Sequence, residues 1–359
     1  MEATGSPKLL GQVMAITMAP ALALNLVAGV LIERTNPKQV MLVTDLLTGL
    51  LFVFAALLMV KSTWQIAILA VVSVCNKSIG VFYKLGNKTI VPQLFAPNQI
   101  IKVNGFQTQV RQVAIISASM FIASLLIWVS AQTIIFGMGL AFLLSALLDS
   151  QFYLRPRRQK KLGTHAKLSP AWRLFRQRSD LRHLTLLAII GCLVDAVVAV
   201  IVPWLVLATW ESKLVLSVYL GLEALGIIMA PFVQRWLPRL TVTQLSYGLP
   251  LSLGLLIPVA PLLGLGLWLL GLLRGLFNLT FYTHLQTAVS PAFVSRLLAI
   301  TLVFTDGTAA LGAYLAPFLT QWWGRWALIG LGGVLIVATG LVQLKFRHQT
   351  TVSILRPED

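Results

Sequence analysis

Five ionisable residues lie inside long apolar stretches of the sequence, where charged side chains are rare. They are Lys77, Asp195, Glu223, Arg274 and Asp306. At the centre of a bilayer each would cost about 3 kcal/mol or more unless it faced a cavity or a partner. Carboxylates in a polar cavity can take up and release protons, and neighbouring cations tune that exchange. We therefore expect the three carboxylates to form a proton or substrate site with the two cations as counter-charges. The alternative is a set of structural ion pairs that only hold helices together.

A short charged hairpin, Gly29–Lys38, separates the first two apolar stretches. A weaker echo, Ala230–Arg239, follows an apolar stretch in the second half of the chain. Arginine, proline and a final basic residue recur there in the same order. A duplicated apolar half with a cationic hairpin at matching positions is a pattern of secondary transporters.

The composition indicates which elements must position these residues. The chain of 359 residues is 57% hydrophobic and 11% charged, whereas a soluble domain would carry about a quarter charged residues. Its apolar runs are about 20 residues long, the length of a helix that crosses the hydrocarbon core. They lack the alternation of barrel strands, and backbone amides in lipid need partners within their own segment. The sequence thus predicts an all-α polytopic membrane protein.

Eleven runs are long enough to be counted as spans, five of them before a long basic segment and six after it. The predicted spans are Leu9–Ile32, Val40–Val60, Trp64–Tyr83, Asn104–Val129, Thr133–Leu154, His183–Thr209, Leu214–Val233, Thr243–Leu262, Gly264–His284, Ala292–Gln321 and Arg325–Leu344.

The net charge of +17 reflects orientation in the membrane rather than nucleic-acid binding. Ten Lys and Arg residues crowd the segment Arg155–Arg182, and most other cations fall on the same predicted face. Because excess Lys and Arg mark cytoplasmic loops, we expect this segment and the C-terminus to be cytoplasmic. A basic segment could also bind anionic lipid head groups. We divide the chain into a helical bundle (residues 1–154), a basic linker (155–182), a second bundle (183–345) and a tail (346–359).

The hairpin resembles the signature of the major facilitator superfamily, Gly-x-Leu-Ala-Asp-Arg-x-Gly-Arg-Lys, in which Glu33 stands for the aspartate. Asn36 and Pro37 depart from its Gly-Arg pair. The positions that match are Gly29, Leu31, Arg34 and Lys38.

Two further segments look like the bacterial drug and macrolide efflux branch of that family, which includes siderophore exporters. Residues 80–105 resemble the branch's loop between its fourth and fifth helices, and Arg274–Asn278 resembles its tenth helix. The resemblance implies two pseudo-repeat bundles. It also implies that the family's first helix is missing from the front of this chain, because Gly5–Pro7 looks like the loop that follows it. We expect either a misassigned start or a truncated gene.

The resemblance also implies a role for the hairpin as part of a gate. A carboxylate at the end of the family's second helix can hold a cation or a helix N-terminus when the cytoplasmic side is shut. The alternative is an ordinary solvated turn. The expected gate residues are Gly29, Glu33, Arg34, Lys38 and Asp45, with Arg111 as a possible partner.

We therefore expect a secondary active transporter of a bacterial plasma membrane that exports a small amphipathic molecule, such as a drug, macrolide or siderophore, by alternating access. Proton coupling stays open, because residues 114–119 lack the Gly-Pro motif that efflux antiporters of the family carry there. The competing interpretation is a transport-inactive remnant or membrane scaffold. We expect a monomer without cofactor or metal, and not an enzyme, since no metal-ligand set, serine–base pair or phosphate loop appears.

Overall fold

The computed structural model describes residues 7–59, 65–151, 168–237, 240–257 and 259–346. These residues are almost entirely helical, and the prediction of an all-helical membrane protein is confirmed. Seven stretches of them have the length and hydropathy of membrane spans, one of which covers the last two helices together.

Twelve α-helices form within the described residues, in an order that follows the apolar runs. They are α1 (Pro7–Arg34), α2 (Pro37–Met59), α3 (Gln65–Leu94), α4 (Pro97–Trp128), α5 (Ala131–Gln151), α6 (Leu168–Gln177), α7 (Ser179–Trp210), α8 (Lys213–Trp236), α9 (Val242–Ser252), α10 (Ala260–Thr287), α11 (Pro291–Trp323) and α12 (Ala327–Lys345).

Three predicted boundaries were wrong. The eighth span, Thr243–Leu262, is instead the short helix α9 followed by a 3₁₀ turn at Leu253–Leu255, and Pro250 lies inside that helix. Helix α3 ends eleven residues later than predicted, and α4 begins seven residues earlier than predicted. The added residues include polar side chains that find hydrogen-bond partners, so the helices continue through them. The basic linker contains a helix, α6, that the sequence analysis did not predict.

We call one end of the bundle the linker end. There α1 ends at Arg34, α7 begins at Ser179, α10 ends at Thr287 and α11 begins at Pro291. The echo of the hairpin lies at this end too, since Arg235 is the penultimate residue of α8. Pro238 and Arg239 lie outside the described residues.

The packing of α8 against α10 depends on two glycines. A Cβ at Gly226 would overlap the backbone carbonyl of Trp268, and a Cβ at Gly271 would overlap that of Glu223. Small residues let helix backbones approach this closely. The contact places the middle of α8 directly beside the middle of α10, where two of the ionisable residues lie.

Candidate functional site

Three predicted site residues meet in a cluster that we call the central triad: Asp195 of α7, Glu223 of α8 and Arg274 of α10. The Arg274 Nε lies 2.9 Å from Asp195 Oδ2, and its Nη1 donates a 2.7 Å hydrogen bond to Glu223 Oε1. At a rise of 1.5 Å per residue the three lie about 20 to 24 Å along their helices from the linker end. The triad therefore places two carboxylates and one cation near the middle of three long apolar helices.

A small cavity adjoins the triad. Its volume is about 30 Å³, and Asp195 and Arg274 line it together with Cys192 and Tyr282. That is room for a few water molecules. The second carboxylate oxygen of Asp195, Oδ1, is buried and accepts no hydrogen bond from the described side chains or backbone. A buried oxygen without a partner is costly, so this atom is a natural place for a proton.

A second cluster, which we call the inner cluster, joins three helices through Asn25 of α1, Lys84 of α3 and Asp306 of α11. Asn25 Nδ2 donates a 2.9 Å hydrogen bond to Asp306 Oδ2, and Lys84 Nζ lies 3.6 Å from Asp306 Oδ1. Asp306 was predicted as a site residue, whereas Lys84 was assigned to a cytoplasmic loop because the third span was ended at Tyr83. The structure places Lys84 ten residues inside α3.

A row of cations, which we call the cationic wall, consists of Lys84 and Lys88 on α3 and Arg111 on α4. The two helices meet at this level, since Gln107 Nε2 of α4 donates a 3.1 Å hydrogen bond to Asn87 Oδ1 of α3, and Arg111 lies one turn beyond Gln107 on the same helix face. Lys88 donates to Asn104 Oδ1 at 3.3 Å and lies 4.8 Å from the centre of the Tyr282 ring. Within the part of the chain that the structure describes, no carboxylate pairs with Lys88 or Arg111.

Lys77, the remaining predicted counter-charge, does not join the triad. It is exposed on α3, two helical turns before Lys84, and no ion pair forms at it among the described residues.

At the linker end, Glu33 of α1 forms a two-point ion pair with Arg296 of α11. We call it the linker-end pair. Its side chains are 7% and 3% exposed, whereas Arg274 keeps 34% of its side chain exposed. Gly29 brings the helices together, because a Cβ there would overlap that of Ala299. The linker end is thus sealed between α1 and α11.

Side-chain amides seal a second contact at this end, between α4 and α10. Asn104 Nδ2 donates to Gln286 Oε1 at 2.7 Å and to Thr283 Oγ1 at 3.2 Å. Gln286 Nε2 in turn donates to the backbone carbonyl of Lys88 at 2.7 Å. Asn104 is 1% exposed and Gln286 2%, so this contact excludes water as the linker-end pair does.

The other residues of the predicted gate are placed differently. Asp45 is buried in α2 and accepts a 2.5 Å hydrogen bond from Ser145 Oγ of α5. Lys38 Nζ donates to the Ser150 carbonyl at 2.8 Å. Arg34 is exposed at the end of α1. Arg111, expected as a partner of the hairpin, lies instead in the cationic wall, and the partner of Glu33 is Arg296.

The departure of the hairpin from the family signature has a local reason. Asn36 Oδ1 accepts a hydrogen bond from the backbone N–H of Lys38 at 3.0 Å, and Pro37 is the first residue of α2. Asparagine at the N-cap and proline at the first helical position both favour helix initiation. The Asn-Pro pair therefore starts α2 directly after the turn.

A further ion pair lies where the linker meets α7. Arg178 Nε donates to Asp180 Oδ1 at 2.9 Å, and its Nη1 reaches the Ala288 carbonyl at 3.4 Å. The hydrogen bond to Asp180 raises the pKa of the Arg178 guanidinium above its ordinary value. The preceding helix α6 stacks Phe175 on Phe304 of α11, with 6.1 Å between ring centres.

Six residues of these clusters and contacts were not among the predicted site residues: Asn25, Lys84, Lys88, Asn104, Gln286 and Arg296. The only signal for Arg296 was its position as a single cation next to the apolar run of α11. Among the described residues, no group of three His, Cys, Asp or Glu side chains is arranged to hold a metal ion.

The sequence profile of the Major Facilitator Superfamily matches residues 1–293 of this chain. No curated protein sequence matches it significantly. Several solved structures share its fold, and three of them serve as examples. The human organic anion transporter MFSD10 (TETRAN) superposes with a TM-score of 0.75 at 15% identity, covering 93% of this chain and 83% of that chain.

A bacterial homologue of the iron transporter ferroportin, in an outward-facing state, has a TM-score of 0.70 at 13% identity and covers 94% of this chain and 89% of that one. For the fucose:proton symporter FucP of E. coli the TM-score is 0.67 at 15% identity, with 96% and 98% covered. At such identities the likeness concerns the fold.

Proposed function

Because the chain belongs to the major facilitator superfamily, we propose that it is a secondary active transporter that exports a small amphipathic molecule by alternating access. Two bundles, α1–α5 and α7–α12, rock against each other about the triad and the inner cluster. The linker end is cytoplasmic, since basic segments gather there and Lys and Arg mark cytoplasmic loops. The C-terminus then lies in the cytoplasm of a cell whose plasma membrane holds the chain.

One contrast carries the proposal: charged residues at mid-depth are accessible while the linker end is sealed. Arg274 is 34% exposed and Lys84 is 44% exposed, but the linker-end pair is almost fully buried. A transporter that alternates must close one end while its central site stays open to the other side. Breaking the contact between Glu33 and Arg296 would let α1 separate from α11 and open the cytoplasmic side.

The charge count of the triad supports proton coupling. Two carboxylates share one guanidinium, so full ionisation leaves one uncompensated negative charge at mid-membrane depth. Such a charge is expensive there, and carboxylates that share a site titrate as a coupled group. The triad therefore exchanges a proton in the transport cycle, with Asp195 as the acceptor because its Oδ1 has no partner among the described residues.

The test is dye accumulation in cells that express the chain. The two dyes are anionic fluorescein and cationic rhodamine 6G, which share a ring system. Expression of the chain is expected to lower the accumulation of at least one of them, and an uncoupler is expected to restore it. Asp195→Asn and Glu223→Gln should abolish the difference in dye accumulation between expressing and non-expressing cells. Glu211→Gln serves as the matched control, because this carboxylate is exposed just past the end of α7.

Two results would count against the proposal. If the wild type, present in the membrane, never changes the accumulation of either dye, the transport-inactive alternative is correct. If Asp195→Asn and Glu223→Gln export as the wild type does, the triad is structural and not part of the coupling.

A further inference from the structure

The basic residues of the central region are unevenly distributed. The α10 side holds a cation between two carboxylates, whereas the α3 and α4 side holds the cationic wall. Among the described residues, Lys84 is the only one of the wall's three cations with a carboxylate partner, Asp306, at 3.6 Å. The wall therefore carries a net positive charge that no described side chain neutralises.

Such a charge needs a reason, because unpaired cations inside a bundle of membrane-spanning helices are costly. Lys84 and Arg111 are exposed although they lie well inside α3 and α4. The wall also neighbours the cavity, since Lys88 Nζ lies 4.8 Å from the centre of the ring of Tyr282, which lines the cavity. The wall is thus accessible to a small molecule that enters the bundle, and not only to lipid at the outer surface.

We infer that the cationic wall binds the anionic group of the transported molecule, so that the substrate is an amphipathic organic anion. This inference rests on the proposed transport function. Arg111 supplies a planar guanidinium that can hold a carboxylate, sulfonate or phosphate at two points, and Lys84 adds a second donor. Binding of the anion brings the net charge of the wall closer to zero.

Aromatic residues define the apolar part of the substrate. Phe277 and Phe281 stack with 5.9 Å between their ring centres, and Phe281 meets Tyr282 edge to face at 5.3 Å. All three line the cavity. The cavity has room for only a few water molecules in this state, and Phe277 and Phe281 are 3% and 4% exposed. The substrate therefore reaches these rings only when the bundles move apart, and rings on one side with cations on the other then fit a molecule with a flat apolar body and one anionic end.

The test measures binding to the purified full chain in a non-ionic detergent by fluorescence anisotropy. Fluorescein and rhodamine 6G share a xanthene ring and carry charges of opposite sign, so the pair compares an anion with a cation of the same ring system. We expect fluorescein to bind, more weakly as ionic strength rises, and rhodamine 6G to bind at least tenfold more weakly.

Variants locate the site. Arg111→Gln is expected to weaken fluorescein binding by about tenfold or more, the range for a hydrogen bond to a charged group, and Arg111→Lys by less. Arg111 has no ion pair in the described structure, so its loss leaves no carboxylate unpaired. Lys102→Gln, an exposed cation on the same helix, is the matched control and should bind as the wild type does.

Three results would overturn the inference. They are equal affinity for the two dyes, unchanged fluorescein binding in Arg111→Gln, and displacement of fluorescein by phosphatidylglycerol. The last result would assign the wall to lipid head groups.

The proposed transport function is tested separately from the anion site. If fluorescein binds through Arg111 but is never moved, the site stands and the transport proposal falls. If rhodamine 6G is exported independently of Arg111, transport stands and the anion site falls.

Discussion

Replacing Glu33 with glutamine removes one charge of the linker-end pair and leaves the other buried. Arg296 is 3% exposed, so in the closed arrangement it loses the carboxylate of Glu33 without gaining water. Breaking a buried ion pair in this way costs about 3 to 5 kcal/mol. Once α1 and α11 separate, water solvates Arg296 and the cost disappears. Glu33→Gln should therefore shift the balance toward the state open at the linker end by roughly two to four powers of ten.

A native cysteine reports this shift. Cys192 lines the central cavity, and Cys75 can be replaced by serine so that one thiol remains. In inside-out vesicles the linker end faces the added reagent. We expect a membrane-impermeant maleimide to label Cys192 much faster in the Glu33→Gln variant than in the protein that keeps Glu33, with Cys75→Ser present in both.

Two controls separate gating from general damage. Asp180→Asn breaks an ion pair at the same end whose side chains are 42% and 23% exposed, and exposed pairs contribute about 0 to 1 kcal/mol, so labelling should stay slow. The double variant Glu33→Gln with Arg296→Gln leaves no buried charge and should restore slow labelling. The reasoning is refuted if Glu33→Gln labels as slowly as the wild type, or if the double variant stays as open as the single one.

Three further predictions concern the helix contacts. Gly271→Val forces α10 away from the backbone of Glu223, and such overpacking costs about 1 to 3 kcal/mol. The melting temperature should therefore fall by several degrees. Gly137→Val is the control and should leave it unchanged, because a Cβ at Gly137 would meet no atom within 4 Å. Arg274→Gln leaves the two triad carboxylates without a cation, so dye export should be lost while membrane insertion persists, and export at the wild-type rate would contradict this. Asn104→Leu leaves the buried amide network between α4 and α10 unsatisfied, at about 1 to 3 kcal/mol, and should raise thiol labelling from the linker side less than Glu33→Gln does.

The helices could be predicted from the sequence because apolar runs of about 20 residues leave the backbone few alternatives in lipid. The same pattern located Asp195, Glu223 and Arg274 near the middles of three different helices. Their meeting could be expected, since isolated charges at that depth need partners. Which charge meets which could not be read from the sequence, because it depends on the approach of α8 to α10 at their glycines.

The ends of α3 and α4 show why hydropathy alone fails. Lys88 and Asn104 are polar, so the predicted spans stopped at or before them, yet each lies in a helix and finds a partner in the other. The pairing of Glu33 with Arg296 spans 263 residues and depends on the docking of α1 along α11. No local pattern encodes a contact of that kind.

Proton-driven transport through the triad is the central claim, and proteoliposomes with an imposed pH gradient test it most directly. Fluorescein enclosed with the reconstituted chain should cross the membrane faster when the gradient is present, and Asp195→Asn should remove that dependence while Glu211→Gln retains it. Equal rates with and without the gradient in the wild type, or an unchanged gradient dependence in Asp195→Asn, would contradict the account.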